Sequence, residues 1–286
     1  MTSPRLAVLG SPIQHSRSPR IHSAAYRALN LNWSYEAIEL KEASFIDFMS
    51  GLDGSWLGFS VTMPLKRAAF DLGTTRDEDA TAIGVANTLV KNGVGWSAYN
   101  TDVGGFIAAV QAVGLDPVGH ATIVGAGATA LSAALALKKM GVEALRIFAR
   151  NSVQIELLQA TPALQGIHIE AANLSHYLPS EERKQEKLVQ TTDLWVNTLP
   201  GTVSSNLIFD AEAISRSSIF DLSYEPYPSK LVENWTQEDR PGLDGLELLV
   251  QQALLQVRLF VNGDVSAVLP RERVILDRMR SASVER

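Results

Sequence analysis

Short apolar runs separated by amphipathic stretches set the pattern of the first hundred residues. Residues 6–9 (LAVL) predict a buried strand closed by Gly10. Ser18-Pro19 has the form of an N-cap followed by a proline in the first turn, and predicts a helix running to about Leu29. Residues 33–40 alternate as a strand does, 43–52 read as a helix, and 57–61 as a third strand that runs into Thr62-Met63-Pro64. Strands alternating with helices predict a parallel sheet covered on both faces.

The sharpest local pattern begins at Ala121. Residues 121–124 (ATIV) form a short strand, and Gly125-Ala126-Gly127-Ala128-Thr129-Ala130 follows. An Ala/Leu-rich helix then runs to Met140, Gly141 stops it, and 144–149 supply the next strand. Such a βαβ unit of about thirty residues is the setting that a dinucleotide fingerprint requires. Further strands are expected at 167–171, 194–197 and 219–222, and the charged stretch 180–190 reads as a solvated helix or loop. Beyond Gly242 the pattern changes to a long apolar helix over 245–261, a break at Gly263-Asp264 and a last short helix opened by Pro270. The fold class expected is α/β. An N-terminal α/β substrate domain (1–102) is completed by C-terminal helices returning to it (241–286). A Rossmann-type, doubly wound dinucleotide-binding domain lies between them (103–240).

Composition narrows the options without choosing among them. A chain of 286 residues suits two cores better than one, and 46% apolar with 20% charged residues is ordinary for a globular protein. A net charge of −6 disfavours nucleic acid, which calls for a basic surface. The absence of cysteine removes disulfides, a thiolate nucleophile and cysteine zinc sites. With no apolar stretch long enough for a signal sequence or a bilayer span, a cytoplasmic location without a membrane partner is expected. His15 and His22 lack acids at ligand spacing, so no metal is expected, and His15 is assigned to bracing the serine loop.

Candidate chemistry sits on the loops. In the fingerprint, Gly125 permits the tight strand-to-helix turn, Gly127 lets a pyrophosphate approach the backbone, and Ala130 keeps helix and strand close. The next strand ends at Arg150, with no acid between Glu143 and Glu156. Arginine suits a 2′-phosphate where an acid would take a free ribose, so NADP is favoured over NAD. Ser16 and Ser18 place two hydroxyls beside a helix start, where they suit a carboxylate, or Ser18 serves only as the N-cap. Lys66 follows a strand end, and Asn87 and Asp102 stand at loop positions.

These segments resemble the shikimate dehydrogenase family nearly end to end and in order. The resemblance rests on Gly10-Ser-Pro-Ile-Gln-His-Ser16-Arg-Ser18-Pro19, Val61-Thr62-Met-Pro-Leu-Lys66, Ala86-Asn87-Thr88, Asn100-Thr101-Asp102-x-x-Gly105 and the fingerprint. It continues through Asp221-Leu-Ser-Tyr224-Glu-Pro226 and Asp244-Gly245-Leu-x-x-Leu248-x-x-x-Gln252. The resemblance implies NADPH-dependent, reversible reduction of 3-dehydroshikimate to shikimate in aromatic amino-acid biosynthesis, with a small molecule as partner and a monomer or homodimer as the unit. It implies Lys66 and Asp102 as the catalytic pair and Ser16 and Ser18 on the substrate carboxylate. Thr62, Asn87, Tyr224 and Gln252 would line the rest of the substrate pocket. Gly125, Ala126, Gly127, Ala128, Thr129 and Arg150 would hold the dinucleotide, with Leu222 and Gly245 beside the nicotinamide. The alternatives are a quinate or aminoshikimate dehydrogenase using NAD, and a catalytically silent nucleotide-binding paralogue. Three features depart from the family pattern: Ser60 in place of Asn, Ala149-Arg150-Asn151 with Gln154 in the 2′-phosphate segment, and Asn197-Thr-Leu-Pro-Gly201.

Overall fold

The computed structural model describes residues 3–93, 95–115, 119–179, 187 and 192–285. The charged stretch 180–190 lies outside the described residues except for Lys187. The chain forms two compact units, one of Met1–Gly105 with Leu249–Arg286 and one of Phe106–Leu248.

The first unit begins with β1 (Arg5–Gly10), α1 (Ser18–Ala28), β2 (Ser34–Glu39), α2 (Phe45–Ser50) and β3 (Trp56–Val61). It continues with α3 (Lys66–Leu72), β4 (Thr75–Arg76), α4 (Glu78–Ile83), β5 (Thr88–Asn92), β6 (Gly95–Tyr99) and the start of α5 (Thr101–Ala112). The sheet order is β2-β1-β3-β5-β6-β4. β1 lies parallel to both β2 and β3, whereas β5 runs antiparallel to β3 and to β6. The sheet is therefore mixed, which corrects the expectation of a parallel one. The cause is the β5–β6 hairpin, which the sequence marked with Asn92-Gly93, a dipeptide suited to tight hairpin turns. Another correction concerns α1. Ser18 is its first helical residue rather than its cap, Arg17 occupies the cap position, and no side chain caps it.

The second unit contains β7 (His120–Val124), α6 (Ala128–Lys139), β8 (Ala144–Ala149), α7 (Ser152–Gln159), β9 (His168–Asn173) and β10 (Leu194–Asn197). It closes with α8 (Gly201–Ser204), α9 (Ala211–Ser215), β11 (Ser218–Asp221), α10 (Lys230–Thr236) and β12 (Gly242–Asp244). All its strands pair in parallel in the order β12-β11-β10-β7-β8-β9, a doubly wound Rossmann-type sheet. β12 pairs with β11, so the chain stays in this unit through Leu248 rather than leaving it at 240. It returns within α11 (Gly245–Asn262), and α12 (Glu272–Val284) completes the first unit.

Each unit has its own core. In the first, Leu6, Val8, Ile21 and Tyr26 pack with Val250, Val257, Ile275 and Met279 on one face of the sheet. Phe45, Trp56, Phe59 and Trp96 fill the other face. In the second, Phe148, Trp195, Phe209 and Trp235 form an aromatic cluster with Val124 and Ile219. Fully burying a side chain of this size contributes about 1.5–3 kcal/mol.

Candidate active site

The first unit places its candidate residues where β1, β3 and β5 begin or end. Lys66 opens α3, just past the Thr62–Leu65 turn, and its Nζ donates to Asp102 Oδ2 at 2.6 Å. Both side chains are nearly withdrawn from solvent, at 12% and 11% exposed. Asp102 stands in the first turn of α5, which Asn100 caps by accepting from the backbone N–H groups of Asp102 and Val103. A carboxylate is favourable there, at the positive end of the helix.

Asn87 is the hub of this cluster and is buried. Its Nδ2 donates to Asp102 Oδ1 at 2.8 Å and to Thr101 Oγ1 at 2.9 Å. Gln252 Oε1 lies 3.3 Å from the same nitrogen. The amide oxygen of Asn87 accepts from Thr101 N–H at 2.8 Å and from Thr88 Oγ1 at 2.9 Å. Gln252 reaches Asn87 because α11 runs tight against α5. A Cβ on Gly105 would stand 2.7 Å from Gln252 Cβ, so glycine is what lets the two helices approach. Lys66, Asn87, Asp102 and Gln252 thus form one hydrogen-bonded group.

The serine loop joins β1 to α1. Ser18 N–H donates to Ser16 Oγ at 3.3 Å, which brings the two serines together, with Ser18 buried and Ser16 half-buried. Ser11 N–H donates to Met63 O at 2.9 Å, tying the serine loop to the turn that carries Thr62 and precedes Lys66. Arg17 Nη1 donates to Ser283 O at 2.6 Å, anchoring the loop to the end of α12. His15 does not brace this loop through its side chain, which is exposed and makes no hydrogen bond among the described residues. His22 is fully buried, stacked on Tyr35 at 4.1 Å, and burial lowers its pKa from 6.5 to about 3. Among the described residues no cluster of His, Cys, Asp or Glu is arranged to hold a metal.

Ser60, which stands where the family pattern has Asn, is buried and committed to other side chains. Its hydroxyl accepts from Tyr35 OH at 2.5 Å and donates to Gln256 Oε1 at 2.6 Å. Gln256 is a residue that motif reading passed over. A glutamine one turn beyond Gln252, on the buried face of an otherwise apolar helix, was the available signal.

In the second unit the glycine turn sits at the switch point between β7 and β10. Gly125 has φ +117°, and a Cβ there would stand 2.1 Å from Thr198 Oγ1, so the turn excludes any side chain. Gly127, the N-cap of α6, has nothing within 4 Å of a virtual Cβ, and no side chain caps the helix. Ala128 and Thr129 form its first turn, Ala126 is buried in the turn, and Ala130 is fully buried against the sheet. The backbone N–H groups of a helix start with open space in front suit a diphosphate. Thr198, in the segment that departs from the family pattern, donates to Val124 O at 2.9 Å and so shapes the same turn.

Arg150 follows β8, exposed, with no partner among the described residues. Asn151 caps α7 by accepting from Val153 and Gln154 N–H, so its amide oxygen is already engaged. Leu222 and Gly245 meet, since a Cβ on Gly245 would stand 2.4 Å from Leu222 O. Asp221 holds the start of the loop that carries Leu222 and Tyr224. It accepts from Asn197 Nδ2 at 2.7 Å, Ser229 Oγ at 2.5 Å and Ser223 N–H at 3.1 Å, and burial pushes its carboxyl above the usual range. Tyr224 lies in this second unit, apart in the chain from the other substrate candidates, all of which belong to the first.

A doubly wound parallel sheet with a glycine turn at its switch point, in a chain that also holds a largely shielded lysine–carboxylate pair in a mixed α/β unit, defines a two-domain nicotinamide-dinucleotide dehydrogenase. A family model described as the shikimate dehydrogenase substrate binding domain matches residues 8–89. Shikimate dehydrogenase (NADP(+)) of Microcystis aeruginosa is 30% identical, with 94% of this chain and 96% of that protein covered. The crystal structure of Mycobacterium tuberculosis shikimate dehydrogenase superposes with a TM-score of 0.81 at 32% identity, covering 98% and 99% of the two chains. The Thermus thermophilus shikimate 5-dehydrogenase in complex with NADP(H) and shikimate gives a TM-score of 0.79 at 26% identity over 98% and 99%. This chain belongs to the shikimate dehydrogenase family.

Proposed function

We infer that the protein is an NADP-dependent shikimate dehydrogenase that reversibly reduces 3-dehydroshikimate to shikimate, a step of aromatic amino-acid biosynthesis. The observation that carries the reading is the 2.6 Å Lys66–Asp102 pair, largely withdrawn from solvent and held by Asn87, within a chain of this family.

The residues of the second unit fit the cofactor. Gly125, Ala126, Gly127, Ala128 and Thr129 form the open turn and helix start that would hold the diphosphate. Arg150 is the unengaged cation for the 2′-phosphate. Leu222 and Gly245 offer bare backbone to the nicotinamide. NADPH, when bound, supplies the hydride. The chain supplies the rest. As hydride reaches the carbonyl carbon, negative charge grows on the carbonyl oxygen, and the Lys66 ammonium stabilises that charge and donates the proton. Asp102 fixes Lys66 on one carboxylate oxygen while Asn87 holds the other. Ser16 and Ser18 take the substrate carboxylate, and Thr62, Asn87, Tyr224 and Gln252 contact the ring and its hydroxyls. No described helix is long and apolar enough to cross a membrane.

The test pairs kinetics with two substitutions. Initial rates with shikimate and quinate, each with NADP and NAD, should favour shikimate with NADP. Lys66→Ala should cut kcat by about 10²- to 10⁴-fold with a much smaller change in KM, the mark of an interaction used in the transition state. Asp102→Asn should also cut kcat, and the double mutant should lose less than the product of the two. Near-normal kcat in both single mutants, corrected for folded fraction, would remove the assignment.

A further inference from the structure

Behind the Lys66–Asp102 pair lies a buried line of hydrogen bonds in which every donor direction is set. It starts at His22, on α1. That ring is neutral, since burial lowers its pKa to about 3. Tyr26 OH is 3.3 Å from Nδ1 and Gln256 Oε1 is 3.2 Å from Nε2. An amide oxygen can only accept, so Nε2 carries the proton and Nδ1 accepts from Tyr26. Gln256 Oε1 also accepts from Ser60. With its oxygen doubly engaged, Gln256 turns Nε2 to Thr88 Oγ1 at 2.9 Å and to Asn87 O at 3.2 Å. Thr88 Oγ1, now an acceptor from Gln256, passes its own proton to Asn87 Oδ1 at 2.9 Å. Thr101 N–H donates to the same oxygen at 2.8 Å, so both donors leave Asn87 one orientation, with Nδ2 aimed at Asp102 Oδ1.

We propose that Gln256 is a positioning residue for the proton chemistry. Through Thr88 it reinforces, beside the Thr101 N–H, the amide orientation of Asn87, so that Asp102 receives a firmly aimed donor on Oδ1 and keeps Oδ2 for Lys66. The proposal rests on the reading that Lys66 and Asp102 carry that chemistry. A flipped Asn87 would face Asp102 with an oxygen, placing two acceptors together in a buried site, where an unmade hydrogen bond is costly. Ser60 belongs to the same arrangement. A short hydroxyl at this position leaves room for Gln256 to reach across from α11, and it supplies one of the two donors that orient the glutamine.

Thr88→Val removes the donor to Asn87 at nearly constant shape. It should lower kcat about 3- to 10-fold, the worth of one ordinary hydrogen bond, with little change in KM for shikimate. Thr88→Ser, which keeps the hydroxyl, should recover most of the rate. Gln256→Glu replaces the donating end with an oxygen, so Thr88 turns its proton away from Asn87. It should mimic Thr88→Val, and the double mutant should be no slower than the worse single. Wild-type kcat in Thr88→Val would overturn the proposal, as would a Thr88→Ser variant no faster than Thr88→Val, or Thr88→Val and Gln256→Glu losses that multiply. If Gln256→Glu does not fold, Thr88→Val and Thr88→Ser decide alone. Lys66→Ala and Asp102→Asn measured beside them separate the two ideas. If those retain kcat, the catalytic reading itself falls and this proposal with it. If they lose it while Thr88→Val does not, only the positioning role of Gln256 falls.

Discussion

At the scale of single residues, the proposed cofactor choice rests on Arg150. It is exposed, with no partner among the described residues, and its neighbour Asn151 has its amide oxygen occupied by the cap of α7. The 2′-phosphate segment therefore offers one cation where the family pattern offers more. Arg150→Ala should raise KM for NADP roughly 10- to 150-fold, the loss of a charged hydrogen bond, while leaving KM for NAD nearly unchanged. Steady-state kinetics with both cofactors would check it, and equal effects on the two would show that Arg150 does not meet the phosphate. Ser60 carries a complementary lesson. Its type was visible as a departure from Asn, but its use was not, because the partners that claim its hydroxyl are Tyr35, twenty-five positions earlier, and Gln256, on a helix near the other end of the chain.

At the scale of elements, α1 does more than cover the sheet. It carries His22 into the core between Tyr35 and Phe260, where the ring stays neutral. The unfolded chain binds a proton at this residue below about pH 6.5, while the folded chain resists it down to about 3. Unfolding therefore takes up a proton between those values, and stability should fall as the pH is lowered through that window, by about 1.4 kcal/mol per unit at its steepest. Denaturant melts of the wild type and of His22→Gln from pH 7 to pH 4 would test this. The substituted protein should show the shallower slope, and identical slopes would rule out His22 as the source. Asp221 and Asp244, whose carboxyls burial raises, oppose the trend but are common to both proteins.

The same scale shows what could be read in advance. β1, β3, β7, β8 and the helix after the glycine turn announce themselves by apolar runs bounded by Gly or Pro, and the structure places them within a residue or two. The serine loop, the Lys66 turn and the glycine turn were legible because their residue types fit their backbone positions. The β5–β6 hairpin was missed because Thr88–Asn92 and Gly95–Tyr99 mix polar and apolar residues, and only Asn92-Gly93 marked the reversal. Thr88 and Thr101 stand within recognisable segments but carry no assigned role in the sequence, because a buried hydroxyl looks like any other until its partners are known.

For the whole molecule, the division of the chain matters more than its net charge. The second unit is one continuous stretch, Phe106–Leu248, with its own sheet and aromatic core. The first unit is not continuous. Its core sets Leu6, Val8 and Ile21 against Val250, Val257, Ile275 and Met279, and Arg17 in the serine loop is anchored to Ser283. On the ribosome, where synthesis runs from the N-terminus, domains ordinarily fold in the order they emerge. Here the earliest residues must wait, because about half of the core on one face of their sheet has not been translated, and the middle of the chain can finish first. A nascent chain stalled with residues 1–248 outside the exit tunnel should resist protease over 106–248 and be cut readily within 1–105, with the latter protected only after 249–286 emerge. Early protection of 1–105 would show that its sheet closes without α11 and α12. Until those helices arrive, the serine loop lacks its anchor at Ser283 and one face of the sheet lies open, so the newborn protein depends on whatever shields that face during the interval.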